Sequence, residues 1–148
     1  MVMTSRGAAR TITTLILLSC FSGVVLANDA GTGGDAGDST STAAWLPATN
    51  ATYYGNLTIS SDNDDYYAIN MSNATGIAVE LTYNSTEDFD LYLIDQNGSY
   101  IDTSVSTGTT DAVTSNGTNV GGTTVYIDVS RWSGSGQYTL QIWIFAIT

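Results

Sequence analysis

The chain has 148 residues, fourteen carboxylates against three cations, a net charge of −11, no histidine and one cysteine. Without histidine it has no Ser-His-Asp or Cys-His constellation and lacks the usual zinc ligands. Its acidity repels nucleic acid phosphates and anionic lipid, so neither is an expected partner; it suits solubility in salt or the holding of divalent cations.

Residues 1–27 read as a secretory signal peptide. Arg6 and Arg10 make a positive start, Ile12 to Leu26 is apolar, and Val25-Leu26-Ala27 is a small-residue cleavage site. Thr13, Thr14, Ser19, Ser22 and Gly23 interrupt the run, which falls short of the ~20 apolar residues of a membrane span. No span is expected in the mature chain. Leu17-Leu18-Ser19-Cys20 approaches a lipoprotein box, so a lipid anchor on Cys20 is the alternative; the apolar run on to Leu26 argues against it. Cleavage after Ala27 leaves about 120 residues, enough for one domain with a core, and no disulfide to brace it.

Residues 28–43 are mostly Gly, Asp, Ser and Thr with little to bury, and read as a loosely held arm before a domain over 44–148. From Trp45 onward short segments alternate in hydrophobicity. Ile77, Val79, Leu81 and Tyr83 share one side of a strand. So do Phe89, Leu91 and Leu93; Val125, Ile127 and Val129; and Tyr138, Leu140, Ile142 and Ile144. A period of two predicts half-buried antiparallel strands. Asn97-Gly98 predicts a two-residue hairpin. No segment of the mature chain keeps a helical period. The fold class is therefore all-β: a two-sheet antiparallel β-sandwich, jelly-roll-like, of about 7–9 short strands. The expected core is Ile59, Tyr67, Ile69, Ile77, Val79, Leu81, Phe89, Leu91, Leu93, Val125, Ile127, Val129, Tyr138, Leu140 and Ile142.

Three groups of residues carry chemistry. Asp62 and Asp65 stand three apart at the entrance to a strand, at the rim of its sheet, and Asn28-Asp29 and Asp35 to Asp38 form a second oxygen-rich stretch. Ca²⁺ takes six to eight oxygens of this kind on a flexible loop. The competing reading of Asp62 to Asp65 is a turn with solvated carboxylates. Tyr66, Tyr92, Tyr126, Trp143 and Phe145 should point away from the core. If their strands share a sheet they form an aromatic face for a protein or polysaccharide; otherwise they pair across strands for structure alone. Finally, Asn50, Asn56, Asn70, Asn73, Asn84, Asn97 and Asn116 each begin an Asn-x-Ser/Thr triplet. That exceeds the roughly three that chance gives in a chain so rich in Ser and Thr, and makes them candidate glycosylation sites. A carboxylate pair for glycoside hydrolysis is formally open from Glu80, Glu87, Asp88 and Asp90. Glu87 and Asp88, however, lie in the polar turn from Asn84, not in an apolar cleft, and no enzyme is expected.

The phrases Asp62-Asn63-Asp64-Asp65-Tyr66-Tyr67, Asp88-Phe89-Asp90-Leu91-Tyr92-Leu93 and Gly134-Ser135-Gly136-Gln137-Tyr138-Thr139-Leu140 recur in that order in the pre-peptidase C-terminal domain, which this chain resembles over roughly residues 28–145. The resemblance implies a secreted, non-catalytic β-sandwich. In the related collagen-binding modules of clostridial collagenases, calcium lies between an N-terminal Asn-Asp arm and the Asp pair before the Tyr-Tyr strand. Asn28, Asp29, Asp62 and Asp65 match those positions; the glutamates that precede the arm there are missing here. The leading expectation is a secreted or cell-surface binding module, calcium-stabilised, contacting extracellular protein or polysaccharide. The alternatives are an accessory domain for a separate secreted peptidase and a structural subunit of a surface layer or filament.

Overall fold

The computed structural model describes residues 28–59 and 62–145. The expected signal peptide and the Cys20 anchor lie outside the described residues. After a single 3₁₀ turn at Asp29–Gly31 come nine strands: β1 (Ala44–Leu46), β2 (Ala51–Leu57), β3 (Asp64–Asn70), β4 (Gly76–Tyr83), β5 (Asp88–Ile94), β6 (Tyr100–Ser104), β7 (Thr110–Thr114), β8 (Thr124–Ser133) and β9 (Gly136–Phe145). They form a β-sandwich. One sheet has five strands in the order β1-β3-β8-β5-β6, the other four in the order β2-β9-β4-β7. Among the described residues no helix is long and apolar enough to cross a membrane.

The alternation seen in the sequence is the physical cause of the layers. Tyr67 and Ile69 from β3, Phe89, Leu91 and Leu93 from β5, and Val125, Ile127 and Val129 from β8 face Ile77, Val79 and Leu81 from β4 and Tyr138, Leu140 and Ile142 from β9. All are buried. Leu57, Met71 and Val113 complete this layer, and Phe89 packs edge-on to Tyr138 at 6.3 Å. Every strand pair is antiparallel except β1 with β3, which is parallel.

Several expectations need correction. Ile59 is 67% exposed, because the inward series of β2 ends at Leu57 and the chain turns back through a bridge between Thr58 and Asp62. The β5–β6 hairpin is longer than two residues. Asp95 closes it by pairing with Ser99, its carboxylate accepts the amides of Asn97 and Ser99, and Gly98 alone takes positive φ. Side-chain capping by Asp95 thus moves the turn one residue earlier, and Gly98 becomes its left-handed closing residue.

The arm is not loose where it is described. Asp29 and Ala36 are fully buried, the Ala44 amide bonds to Ala36, and the Tyr66 amide bonds to Gly37. Gly37 has φ +83°, and a Cβ there would stand 2.5 Å from the Thr42 carbonyl oxygen, so this position needs glycine. The composition concealed this docking because alanine and glycine bury backbone and leave no hydrophobic period.

Candidate metal centre

The centre forms where the docked arm meets the rim of the five-stranded sheet. Asp65 is the first inward residue of β3, in register with Val129, so its carboxylate enters the core layer at its margin. Asp62 ends the turn before β3. The 3₁₀ turn brings in Asp29, whose Oδ1 accepts the Asn56 amide at 2.8 Å. Two triads of carboxylates result, Asp29-Asp35-Asp65 and Asp35-Asp38-Asp62, each with its ligand atoms within 4.8 Å of one another, and they share Asp35.

Three of these side chains are shut off from water: Asp29 and Asp65 completely, Asp62 to 6% exposure. Each keeps one buried oxygen with no hydrogen-bond partner, namely Asp29 Oδ2, Asp62 Oδ1 and Asp65 Oδ1. Buried polar atoms are normally satisfied, so three orphans in one cluster demand a physical account. No cation among the described residues supplies it. Arg131 is the one Lys or Arg among the described residues, and its guanidinium donates to Asn63 Oδ1 and to the Gly134 carbonyl.

Burial, followed by the charges of Asp35, Asp29 and Asp38, pushes the Asp62 carboxyl up to about 7. Burial pushes Asp65 up to about 9; the Tyr138 hydroxyl opposes this by donating to its Oδ2, and Asp29, Asp62 and Asp35 add to the rise. Asp29 is raised mainly by burial, against the Asn56 amide. The Tyr67 hydroxyl meets that of Tyr138 at 2.6 Å, so the cluster is joined to the core by a chain of two tyrosines.

An all-oxygen set of carboxylates on a turn and an arm fits a hard divalent cation of the calcium type and offers nothing to a soft one. Of the four residues matched in sequence, the structure brings Asp29, Asp62 and Asp65 together. Asn28 begins the same turn, but its side-chain oxygen accepts the Gly33 amide at 2.8 Å. Asp35 and Asp38 complete the cluster and were left out of the matched set. Their signal was present: Asp35-Ala-Gly-Asp38 repeats the spacing of Asp62-Asn-Asp-Asp65.

The five aromatic candidates do not share a face. Tyr66, Tyr92 and Tyr126 lie on the outer side of the five-stranded sheet, whereas Trp143 and Phe145 belong to β9 of the other. Alternation assigns a side to a residue but cannot say which sheet its strand joins. The five-stranded face has its own row: Trp45, Ala68, Tyr126, Ile94 and Tyr100 stand in register across all five strands, and Tyr100 stacks on Tyr92 at 5.4 Å. Trp45 and Tyr100 are mostly exposed. Glu80 lies on β4 of the opposite sheet from Asp88 and Asp90. Six of the sequon asparagines are exposed: Asn50, Asn70, Asn73, Asn84, Asn97 and Asn116. Asn56 is half-buried within β2.

The fold defines a class, the two-sheet β-sandwich. The chain is similar to the pre-peptidase C-terminal domain of collagenase from Bacillus anthracis, with 20% identity, a TM-score of 0.56, and coverage of 68% of this chain and 93% of that one. It is also similar to PliG of Aeromonas hydrophila, a periplasmic inhibitor of g-type lysozyme, with 14% identity, a TM-score of 0.51, and coverage of 68% and 96%. At these identities the likeness is one of fold. No protein-family model and no curated protein sequence matches the chain.

Proposed function

We propose that this protein is an exported, non-catalytic binding module whose N-terminal arm is fastened to the sandwich by Ca²⁺. The observation that carries the reading is the convergence of Asp29, Asp35, Asp38, Asp62 and Asp65 with three buried oxygens unpartnered. A divalent ion there offsets the mutual repulsion and supplies the missing partner for each oxygen. The fold shared with the collagenase domain supports an accessory role, and the export signal read over residues 1–27 supports a place outside the cell or on its surface, where calcium is plentiful. The outer face of the five-stranded sheet, with Trp45 and Tyr100 exposed, is the surface for contact with an extracellular protein or polysaccharide, and the exposed sequon asparagines would carry glycans around it.

The test is a thermal melt of the purified protein in EDTA and in millimolar Ca²⁺, with calorimetric titration beside it. A raised midpoint and a saturable heat, both lost in Asp65→Asn, are expected. An unchanged midpoint without heat would reduce the cluster to solvated acids. A pull-down against extracellular proteins and polysaccharides, with and without Ca²⁺, tests the binding role.

A further inference from the structure

A second group of acids, away from the arm, has different company. Between β5 and β8 the register slips: Phe89 pairs with Arg131 but Asp88 pairs with Ser133. Trp132 is the extra residue of this bulge. Bulges re-aim side chains, and here the indole is turned out to 75% exposure, the most exposed large apolar side chain described. It forms one wall of a groove of about 470 Å³ whose other lining residues are Asp88, Asp90 and Tyr92 of β5 and Val105 and Thr107 of the β6–β7 loop.

The polar atoms of this groove want a donor. Asp88 Oδ1 is buried and unpartnered. Asp90 keeps only a long bond from the Tyr92 hydroxyl, 3.3 Å, and burial, against that bond, raises its carboxyl along with the nearby charge of Asp88. Arg131, next in sequence to Trp132, spends its guanidinium on Asn63 and Gly134.

This combination selects a ligand. An anion is repelled by Asp88 and Asp90. A neutral sugar could stack on Trp132 but would strip water from these carboxylates without compensating their charge. A lysine ammonium supplies charge but no flat surface for the indole. A guanidinium supplies both: a planar face for Trp132 and Tyr92, and a fork of N–H donors for two neighbouring carboxylates. Among the described residues Arg131 is the one arginine, and Asn63 and Gly134 hold its guanidinium.

We propose that the groove between the Trp132 bulge and Asp88, Asp90 and Tyr92 binds an arginine side chain presented by a protein partner. This rests on the reading of the chain as a binding module and narrows its partner to a protein with an exposed arginine.

The experiment is an NMR titration of the protein in Ca²⁺, following the Trp132 indole N–H. The probe is a blocked glycine pentapeptide with a central arginine; lysine and citrulline versions, and a neutral oligosaccharide, are run beside it. Citrulline keeps the planar shape and lacks the charge. Saturable movement of the Trp132 signal with the arginine peptide is expected, weaker with lysine and absent with citrulline and sugar. Trp132→Ala, and Asp88→Asn with Asp90→Asn, should each weaken binding about tenfold or more, read from backbone signals of β5, while Glu80→Gln leaves it unchanged. A silent Trp132, or an equal response to citrulline or sugar, overturns the proposal. If ligands move only Trp143 and the four-stranded face, this groove is excluded while the binding-module reading stands. The calcium melt, which reports Asp65, fails or succeeds separately.

Discussion

The layer between the two sheets is closed to water, and so are Asp29, Asp62 and Asp65 of the carboxylate seam beneath the arm, while Asp35 and Asp38 of the seam stay exposed; the two regions differ in what they require. The layer is filled by side chains that gain from leaving water, and their gain needs no bound ion. The seam is filled by side chains that lose hydration and repel one another, and its three orphaned oxygens stay unsatisfied unless something is added. One is complete when the chain folds; the other is complete when a cation joins it. Burial alone therefore says nothing about whether a region stabilises a protein.

The sharpest way to break this contrast is to cut into each region and vary calcium. Leu91→Ala or Ile127→Ala should lose about 2–5 kcal/mol, equally in EDTA and in Ca²⁺, because a cavity in the apolar layer does not sense the ion. Denaturant melts check this, and a calcium-dependent loss would merge the two regions into one. Calcium itself should add about 2.7 kcal/mol at a hundredfold excess over Kd if it binds only the folded state.

Acidity should separate them further. The Asp62 and Asp65 carboxyls lie at about 7 and about 9 in the folded protein, above the roughly 4 of an unfolded chain, and burial pushes Asp128 up to about 7 in the same sense. The folded state then holds protons that the unfolded chain has released. In EDTA, stability should fall as pH rises from about 4 to about 9. In saturating Ca²⁺ the ion holds the seam carboxylates ionised, and acid should weaken the protein instead by displacing it. Melts at pH 5 and pH 8, with and without metal, read the sign directly.

Tyr138→Phe tests the joint between the regions. Its hydroxyl donates to Asp65 and meets that of Tyr67, so its loss leaves buried groups unpartnered and should cost about 1–3 kcal/mol by thermal melt. The smallest effect is expected at Glu80→Gln, within about 0.5 kcal/mol and indifferent to calcium, since this half-buried acid lies on the outer face of the opposite sheet. Asp111 would be a poor control: it is buried and accepts from the Tyr83 and Ser104 hydroxyls and the Ser106 amide.

The apolar layer was legible because a period of two fixes which side a residue takes, and β4, β5, β8 and β9 kept that period across the layer, β8 as far as the bulge at Trp132. It failed at Ile59, where the chain turned before the period could continue. Asp29, Asp62 and Asp65 of the seam were legible in the sequence. Asp35 and Asp38 were read as oxygen-rich but not joined to them, because nothing in the sequence says that a glycine-rich arm will fold back onto the rim. Trp132 was hidden for a related reason: a bulge is a mismatch between two strands, and one strand alone does not display it.

The position of the seam also has a mechanical consequence. Asp29 holds the amide of Asn56, which pairs with Gln137 near the start of β9, while Phe145 ends that strand eight residues on, about 27 Å away at a strand's usual rise. The first and last described residues thus lie at opposite ends of the sandwich. A cation at the seam clips the arm to the start of the β2–β9 ladder, and without it the arm would lift from the rim before either sheet opened.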